Sequence, residues 1–146
     1  VHSNYYDSVS SYINSIAGSF DRLAVCDNSA YYDEARSLST QFSLKNQVEV
    51  QILDTAGTVI VSTSGYLPPE DEKMPDYEKA VADGTSGEWT GYTSGDEHVM
   101  ASTYILTDYG NGSNGAVRCI VSLQKLDRHI LFINLITKSV TKSSSI

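Results

Sequence analysis

The N-terminal part of the chain carries apolar residues at helical spacing. Between residues 4 and 25 they recur every three or four positions, which predicts one helix with a single apolar stripe. The members of the stripe are Tyr6, Val9, Ile13, Ile16, Phe20 and Leu23. We expect the stripe to pack on the protein's own sheet, with a seam between two copies of the chain as the alternative.

Two further helices are predicted, one directly after the first helix and one after the first two strands. The break at CDNSA, residues 26–30, precedes a helix for which Asn28 and Ser29 are favourable N-caps and which ends near Lys45. Its predicted apolar face consists of Tyr32, Ala35, Leu38 and Phe42. A short helix is predicted in PDYEKAVADG, because Pro75 suits a first helical turn and Gly84 suits a C-terminal end.

Alternating apolar and polar residues predict five strands. The stretch VEVQILDTAGTVIVSTS, residues 48–64, predicts an antiparallel hairpin whose turn uses Asp54 as a hydrogen-bond acceptor and Gly57 at positive φ. Three more strands are predicted in GEWTGYTS, EHVMASTYILT and GAVRCIVSL, and a final helix in QKLDRHILFINLI, residues 124–136. This order predicts an α+β fold with a five-stranded, mostly antiparallel sheet.

Length and charge narrow the class of partner. The chain has 146 residues, enough for one domain with a core, and its formal net charge is −8. Because an acidic surface repels phosphate backbones, we do not expect nucleic acid as a partner. The apolar run ILFINLI is too short to cross a bilayer. Cys26 and Cys119 are either two buried small residues or one disulfide, and the sequence leaves both open.

No catalytic or cofactor motif has the structural context that it needs. The string GNGSNG, residues 110–115, matches the dinucleotide fingerprint but precedes a predicted strand, and Asn114-Gly115 suits a tight hairpin turn. Ser94, Asp96 and His98 are close in sequence, but no nucleophile elbow accompanies them. The histidines have no metal-ligand spacing. We therefore expect neither an enzyme nor a cofactor in this chain.

Four stretches carry a resemblance to a known family: VEVQILDTAGTVIVSTS, PDYEKAVADGTSGEWTGY, HVMASTYIL and GAVRCIVSLQKLDRHI. In this order, after a long N-terminal helix, the chain resembles the extracytoplasmic PAS-like (Cache, or PDC) sensor domains of bacterial membrane receptors. The last stretch is most similar to the membrane-proximal end of a sensor histidine kinase. The resemblance implies one sensor domain over residues 1–133. It leaves a tail, residues 134–146, that is either the edge of a membrane segment or an artificial remnant.

The resemblance also implies a function. A ligand would bind on one sheet face under residues 65–87, and shifts of the terminal helices would carry the signal across the membrane to a histidine kinase. The alternatives are a chemotaxis receptor, and a divalent-cation or membrane-surface sensor that uses Glu70, Asp71 and Glu72. The implied partners are a small molecule such as a carboxylate or amino acid, the membrane through flanking helices, and a second copy of the chain. The homodimer would form through the N-terminal helix.

Strand alternation predicts which side chains face this ligand. In HVMASTYIL the even-numbered positions from His98 carry more functional groups than the odd-numbered positions from Val99. In GAVRCIVSL, Arg118 lies opposite plain residues. A partly buried guanidinium there would pair with a carboxylate from the ligand or from an acid of residues 70–78, and the alternative is an exposed arginine on an open sheet face. Of Trp89 and Tyr92, at most one is expected in the pocket, with Trp89 in the core. The candidate ligand-binding residues are Arg118, His98, Met100, Ser102, Tyr104, Ser122, Tyr92 and Tyr66.

Overall fold

A computed structural model describes residues 2–40, 48–108 and 112–123. Its elements are α1 (His2–Gly18), a 3-10 turn (Asp21–Val25), α2 (Asn28–Thr40), β1 (Val48–Leu53), β2 (Val59–Ser62), α3 (Pro75–Asp83), β3 (Ser86–Tyr92), β4 (His98–Asp108) and β5 (Gly112–Ser122). The strands form one sheet in the order β2-β1-β5-β4-β3, and every neighbouring pair is antiparallel. The predicted α+β fold with a five-stranded antiparallel sheet is confirmed.

The N-terminal helix covers one face of the sheet, which we call the helical face. Its stripe is buried, with Ile13, Phe20 and Leu23 each 0 % exposed. The stripe packs against sheet residues of the same chain, among them Val50, Ile52, Met100, Cys119 and Val121. The prediction that the stripe packs on the protein's own sheet is therefore confirmed for the residues whose side chains the structure describes, which do not include Tyr6.

Two details of the helical predictions were wrong. The first helix ends at Gly18 rather than near residue 25, and a 3-10 turn continues the stripe; glycine and serine here are weak helix formers. In α2 the buried aromatic residue is Tyr31, whereas Tyr32 is 47 % exposed. The Tyr31 hydroxyl donates a hydrogen bond to the Leu53 carbonyl oxygen at 2.7 Å, which ties α2 to β1. Phe42, Lys45 and the predicted helix of residues 124–136 lie outside the described residues.

Local signals placed the first hairpin and the short helix correctly. Asp54 Oδ1 accepts hydrogen bonds from the backbone N–H groups of Ala56 and Thr58 at 2.9 and 3.0 Å. Gly57 adopts a φ of 86°, as the turn requires. The helix α3 begins at Pro75 and is closed by Gly84, whose φ is also 86°.

The β4–β5 hairpin differs from its prediction. Asn114-Gly115 is not the turn, because β5 already begins at Gly112, which pairs with Asp108. Pairing shifts between Leu106 and Thr107, so that one extra residue lies in β5 before Gly115. Gly115 has a φ of 143°, and a Cβ at this position would lie 2.5 Å from the Tyr31 hydroxyl. Glycine is therefore required here by a β-bulge against α2 rather than by a tight turn.

Two points raised by the sequence are a disulfide between Cys26 and Cys119 and a helix that crosses a membrane. Cys26 and Cys119 are not joined by a disulfide, and Cys119 is buried on the helical face. No helix among the residues that the structure describes combines the length and apolar character of a bilayer span.

Candidate functional site

A row of polar side chains crosses the sheet face opposite α1, which we call the pocket face. Gln51, Arg118 and Thr103 lie directly opposite one another on β1, β5 and β4. Because cross-strand partners in an antiparallel sheet share a face, the three side chains point to the same side. All three are buried, with exposed fractions of 2 %, 6 % and 0 %. The row therefore lies in the middle of the sheet and is covered from above.

The first turn of α3 supplies the group that covers this row. Arg118 Nε donates to Asp76 Oδ2 at 2.8 Å, and Arg118 Nη2 donates to Asp76 Oδ1 at 3.1 Å. Thr103 Oγ1 donates to Asp76 Oδ2 at 2.7 Å. Asp76 itself is 0 % exposed. Of the two carboxylates that the sequence left open for Arg118, the structure provides the internal one, in a bidentate ion pair.

The hydrogen bonds continue from this pair to the edge of the sheet. Arg118 Nη1 donates to Gln51 Oε1 at 3.1 Å, and Gln51 Nε2 donates to Glu49 Oε2 at 2.6 Å. The same Glu49 oxygen accepts a bond from Ser62 Oγ at 3.3 Å. One network thus runs from α3 across β5 and β1 to β2, and its charged members are Asp76, Arg118 and Glu49.

Close packing also holds α3 on the sheet. A Cβ added to Gly87 of β3 would lie 2.5 Å from the Ala80 backbone nitrogen and would also contact the Asp76 carbonyl oxygen. The helix and strand therefore approach as closely as a glycine permits. Asp76 lies in the first turn of α3, where the helix dipole stabilises a negative charge. Gly87 and the Asp76–Arg118 pair together fix α3 relative to the sheet.

A cavity of about 560 Å³ lies beside this network, and we call it the sheet pocket. Its volume falls within the range of small-molecule sites. Its walls include residues 63–74, between β2 and α3, which we call the covering segment. The turn after β3 and the pocket face of the sheet form the other walls. The lining residues are Glu49, Gln51, Tyr66, Glu72, Lys73, Pro75, Trp89, Tyr92, Thr93, Ser94, Glu97, Val99, Arg118 and Ile120.

Three aromatic side chains line the sheet pocket. Trp89 is half-buried, while Tyr66 and Tyr92 are 53 % and 63 % exposed. Tyr92 stacks on His98, with ring centroids 4.8 Å apart and an interplanar angle of 20°. The expectation that at most one of Trp89 and Tyr92 lines the pocket was wrong. Tyr92 is the last residue of β3 and adjoins the turn that forms the rim, where strand alternation no longer fixes the side chain's direction.

The structure separates the eight candidate residues into three groups. Arg118, Tyr92 and Tyr66 line the sheet pocket. His98 contacts the pocket's rim through Tyr92, and Ser122 lies on the pocket face opposite Val99 without lining the cavity. The others, Met100, Ser102 and Tyr104, lie on the helical face, away from the pocket.

The facing predicted for β4 is therefore inverted, whereas that of β5 is correct. Met100 is 1 % exposed and packs in the core under α1, and Ser102 and Tyr104 line a shallow groove beside Asn14 of α1. The reason is register: Thr103, not Ser102, is the partner of Arg118. The prediction assigned the residues of β4 that carry more functional groups to the pocket. In the structure, Ser102 and Tyr104 instead point toward the polar edge of α1.

Two ionisable groups on the helical face are held in their neutral forms. Burial raises the pKa of the Cys119 thiol to about 12, and the nearby charge of Asp76 acts in the same direction. Burial likewise raises the pKa of Tyr104 to about 12. Neither group is suited to proton transfer near neutral pH.

Other possible sites have less to support them. A cavity of about 520 Å³ lies between α2 and β2, with Tyr32, Arg36 and Leu67 among its lining residues. Within residues 2–40, 48–108 and 112–123, no three His, Cys, Asp or Glu side chains are close enough to hold a metal ion. The carboxylates of residues 70–72 are exposed.

Comparison with known proteins shows similarity of fold. No protein-family model matches the chain, and no curated protein matches it. The ligand-binding domain of the Pseudomonas fluorescens chemoreceptor CtaA with L-serine is 20 % identical, has a TM-score of 0.63, and the match covers 85 % of this chain and 55 % of that one. The corresponding domain of the Pseudomonas aeruginosa chemoreceptor PctC with GABA is 14 % identical, with a TM-score of 0.59 and coverage of 85 % and 57 %.

A third structure, the ligand-binding domain of Mlp24 with asparagine, is 16 % identical with a TM-score of 0.56, and the match covers 86 % of this chain and 53 % of that one. The chain thus spans about half the length of the receptor domains that it matches. At these identities the likeness shows the fold alone, and it agrees with the PAS-like fold that the sequence resemblance implied.

Proposed function

We propose that this chain is the ligand-sensing domain of a bacterial membrane receptor and that its ligand binds in the sheet pocket. The observation that carries the proposal is a cavity of about 560 Å³ between the sheet and the covering segment, walled by aromatic and charged side chains. The shared fold supports it, because the similar structures are ligand-binding domains solved with amino acids. That support is an analogy of fold, and the pocket chemistry carries the argument.

The proposed ligand contacts come from three directions. Tyr66 belongs to the covering segment, Tyr92 to the rim and Trp89 to the sheet. Arg118 lies at the pocket's base, where three of its five N–H groups are already used by Asp76 and Gln51. Its remaining N–H groups are donors for an uncharged ligand oxygen. A ligand that contacts all of these groups would fix the covering segment against the sheet.

The proposed signal passes through the sheet to α1. Residues of β4 and β5 alternate between the pocket face and the helical face, so neighbouring residues contact the pocket network and the core under α1. A close-packed core transmits a strand shift rather than absorbing it. The receptor would be a histidine kinase, with a chemotaxis receptor as the alternative, and this domain would lie outside the cytoplasm as a homodimer.

Ligand-induced stabilisation tests the proposal. Thermal unfolding would be followed with a panel of amino acids, amines, carboxylates, nucleobases and divalent cations. A ligand at 100 times its Kd adds about 2.7 kcal/mol to the free energy of unfolding, which is easily detected. The expected result is a stabilising organic ligand whose effect is lost in Trp89→Leu and retained in Tyr32→Leu, the matched change in the α2–β2 cavity.

Two results would contradict the proposal. One is a ligand whose effect disappears in Tyr32→Leu and persists in Trp89→Leu, because the site would then be the other cavity. The second is a response to divalent cations alone that is lost when Glu70, Asp71 and Glu72 are neutralised, which would establish a cation sensor.

A further inference from the structure

We infer that the group recognised in the sheet pocket is an organic cation, a protonated amine or quaternary ammonium, rather than a carboxylate. The inference rests on the proposed function, since it specifies the ligand of the same pocket. It follows from the charges and aromatic faces that line the cavity.

The first step concerns the buried guanidinium at the base of the pocket. Arg118 is the residue that a carboxylate ligand would be expected to use. However, both oxygens of Asp76 are bound to it, at 2.8 and 3.1 Å, and Asp76 is fully buried. The pair is neutral as a unit, and a ligand carboxylate would have to compete with an internal partner held by α3. The pocket therefore lacks a free guanidinium for an anion.

The second step concerns the other ionisable groups of the pocket. Among its lining residues in the described part of the chain, Glu49, Glu72 and Glu97 are carboxylates, and Lys73 is the single ammonium group beside the Arg118–Asp76 pair. Their net charge is −2. Glu49 and Glu97 are half-buried, so water screens them less than it screens the exposed Lys73. The whole chain carries −8, so the surrounding surface adds to the same negative potential.

The third step concerns the aromatic walls. The negative face of an aromatic ring attracts cations, and tryptophan does so most strongly. Trp89 lines the pocket in a half-buried position, together with Tyr66 and Tyr92. The stacking of Tyr92 on His98 gives that ring a defined orientation before any ligand binds. Aromatic faces next to carboxylates are a combination that suits an ammonium group and repels an anion.

For a zwitterion, these groups assign the binding role to the ammonium end. The carboxylate end would have to remain near solvent or Lys73, because the base of the pocket is occupied by the Arg118–Asp76 pair. The amine that remains when an amino acid loses its carboxylate should therefore bind at least as well as the amino acid itself. A deaminated acid should bind poorly.

Matched pairs of probes test this inference by calorimetry and thermal shift. Putrescine and succinate have four carbons and opposite charges, and choline and 3,3-dimethyl-1-butanol have the same shape with and without the charge. We expect at least one of the two cations to bind, and to bind at least tenfold more tightly than its matched partner. Glu97→Gln and Trp89→Leu should each weaken that binding about tenfold. Trp89→Phe keeps an aromatic ring and should retain most of the cation binding. Glu70→Gln changes an exposed acid outside the pocket and should leave cation binding unchanged.

The outcomes separate this inference from the proposed function. If succinate or the neutral alcohol binds more tightly than its cationic partner, and Trp89→Leu weakens that binding, the pocket is a ligand site but the inferred ligand class is wrong. If cations bind equally well to wild type, Glu97→Gln and Trp89→Leu, they bind elsewhere on the acidic surface and the inference is overturned. If neither the probes nor the wider panel of organic ligands responds to changes in the pocket, the proposed function fails as well.

Discussion

The largest loss of stability is predicted for breaking the buried ion pair between Asp76 of α3 and Arg118 of β5. Asp76→Ala removes a carboxylate that accepts three hydrogen bonds, and it leaves Arg118, a residue only 6 % exposed in the native structure, without its ion-pair partner. Removing one partner of a buried pair costs about 3–5 kcal/mol, because the remaining charge stays buried. Since a domain of this size loses roughly 2–4 °C per kcal/mol, the melting temperature should fall by roughly 6–20 °C.

Three further variants isolate the cause. Glu78→Gln changes an exposed acid on the same helix and should alter stability by less than about 0.5 kcal/mol. Asp76→Asn keeps the shape and some hydrogen bonds and should be intermediate. The double variant Asp76→Leu with Arg118→Met removes both charges and should recover most of the lost stability, because a buried pair can often be replaced by apolar residues.

Urea unfolding followed by circular dichroism gives the free energies for this comparison. If Asp76→Ala unfolds at the same urea concentration as Glu78→Gln, the pair contributes nothing measurable and the argument from burial is wrong. If the double variant is less stable than Asp76→Ala, the loss comes from packing rather than from an unpaired charge.

The remaining predictions concern packing and titration. Gly87→Ala should destabilise by about 1–3 kcal/mol in urea unfolding because its Cβ has no room against α3. Gly95→Ala should be nearly neutral, because a Cβ there makes only an ordinary contact with Thr93 Oγ1 at 3.8 Å; equal effects would contradict the close approach of α3 and β3. Ile13→Ala should cost about 2–5 kcal/mol in the same assay, because this residue is 0 % exposed within its own chain; loss of a dimer without loss of stability would instead favour the seam. Burial raises the pKa of the Cys119 thiol from an ordinary value of 9.0 to about 12. The stability that the neutral thiol contributes is therefore complete below pH 9 and is lost as the pH rises toward 12. Cys119→Ala should reduce this decline in the free energy of unfolding, measured from about pH 8 to 11.

The elements that local chemistry specifies could be predicted from the sequence. The first hairpin has a turn in which Asp54 accepts backbone bonds and Gly57 takes positive φ, and the short helix has Pro75 and Gly84 at its ends. These signals act within a few residues, so they require no knowledge of the rest of the fold. The stripe of α1 was equally clear, because an apolar face that regular has to be buried somewhere.

The features that depend on contacts between distant residues could not be predicted in the same way. Whether Thr103 or Ser102 lies beside Arg118 depends on the β4–β5 register. A bulge near Gly115 shifts this pairing at the end of the hairpin where β4 connects to β5. Tyr31 rather than Tyr32 is buried because a carbonyl of β1 receives its hydroxyl. In both cases neighbouring residues have similar propensities, and a tertiary contact decides between them.

The candidate site lies between these two cases. Strand alternation predicted which face of β5 carries Arg118, and the acidic segment was named as one source of its carboxylate. The burial of Arg118 and the choice of Asp76 depend on the position of α3. That choice changes the chemistry of the pocket, because an arginine with an internal partner cannot serve as a free anion receptor. The same pair also ties α3 to the strand whose next residue, Cys119, lies in the core under α1. A ligand that moves α3 or the covering segment therefore acts on a strand shared by both faces, and this shared strand gives the pocket a physical route to the N-terminal helix.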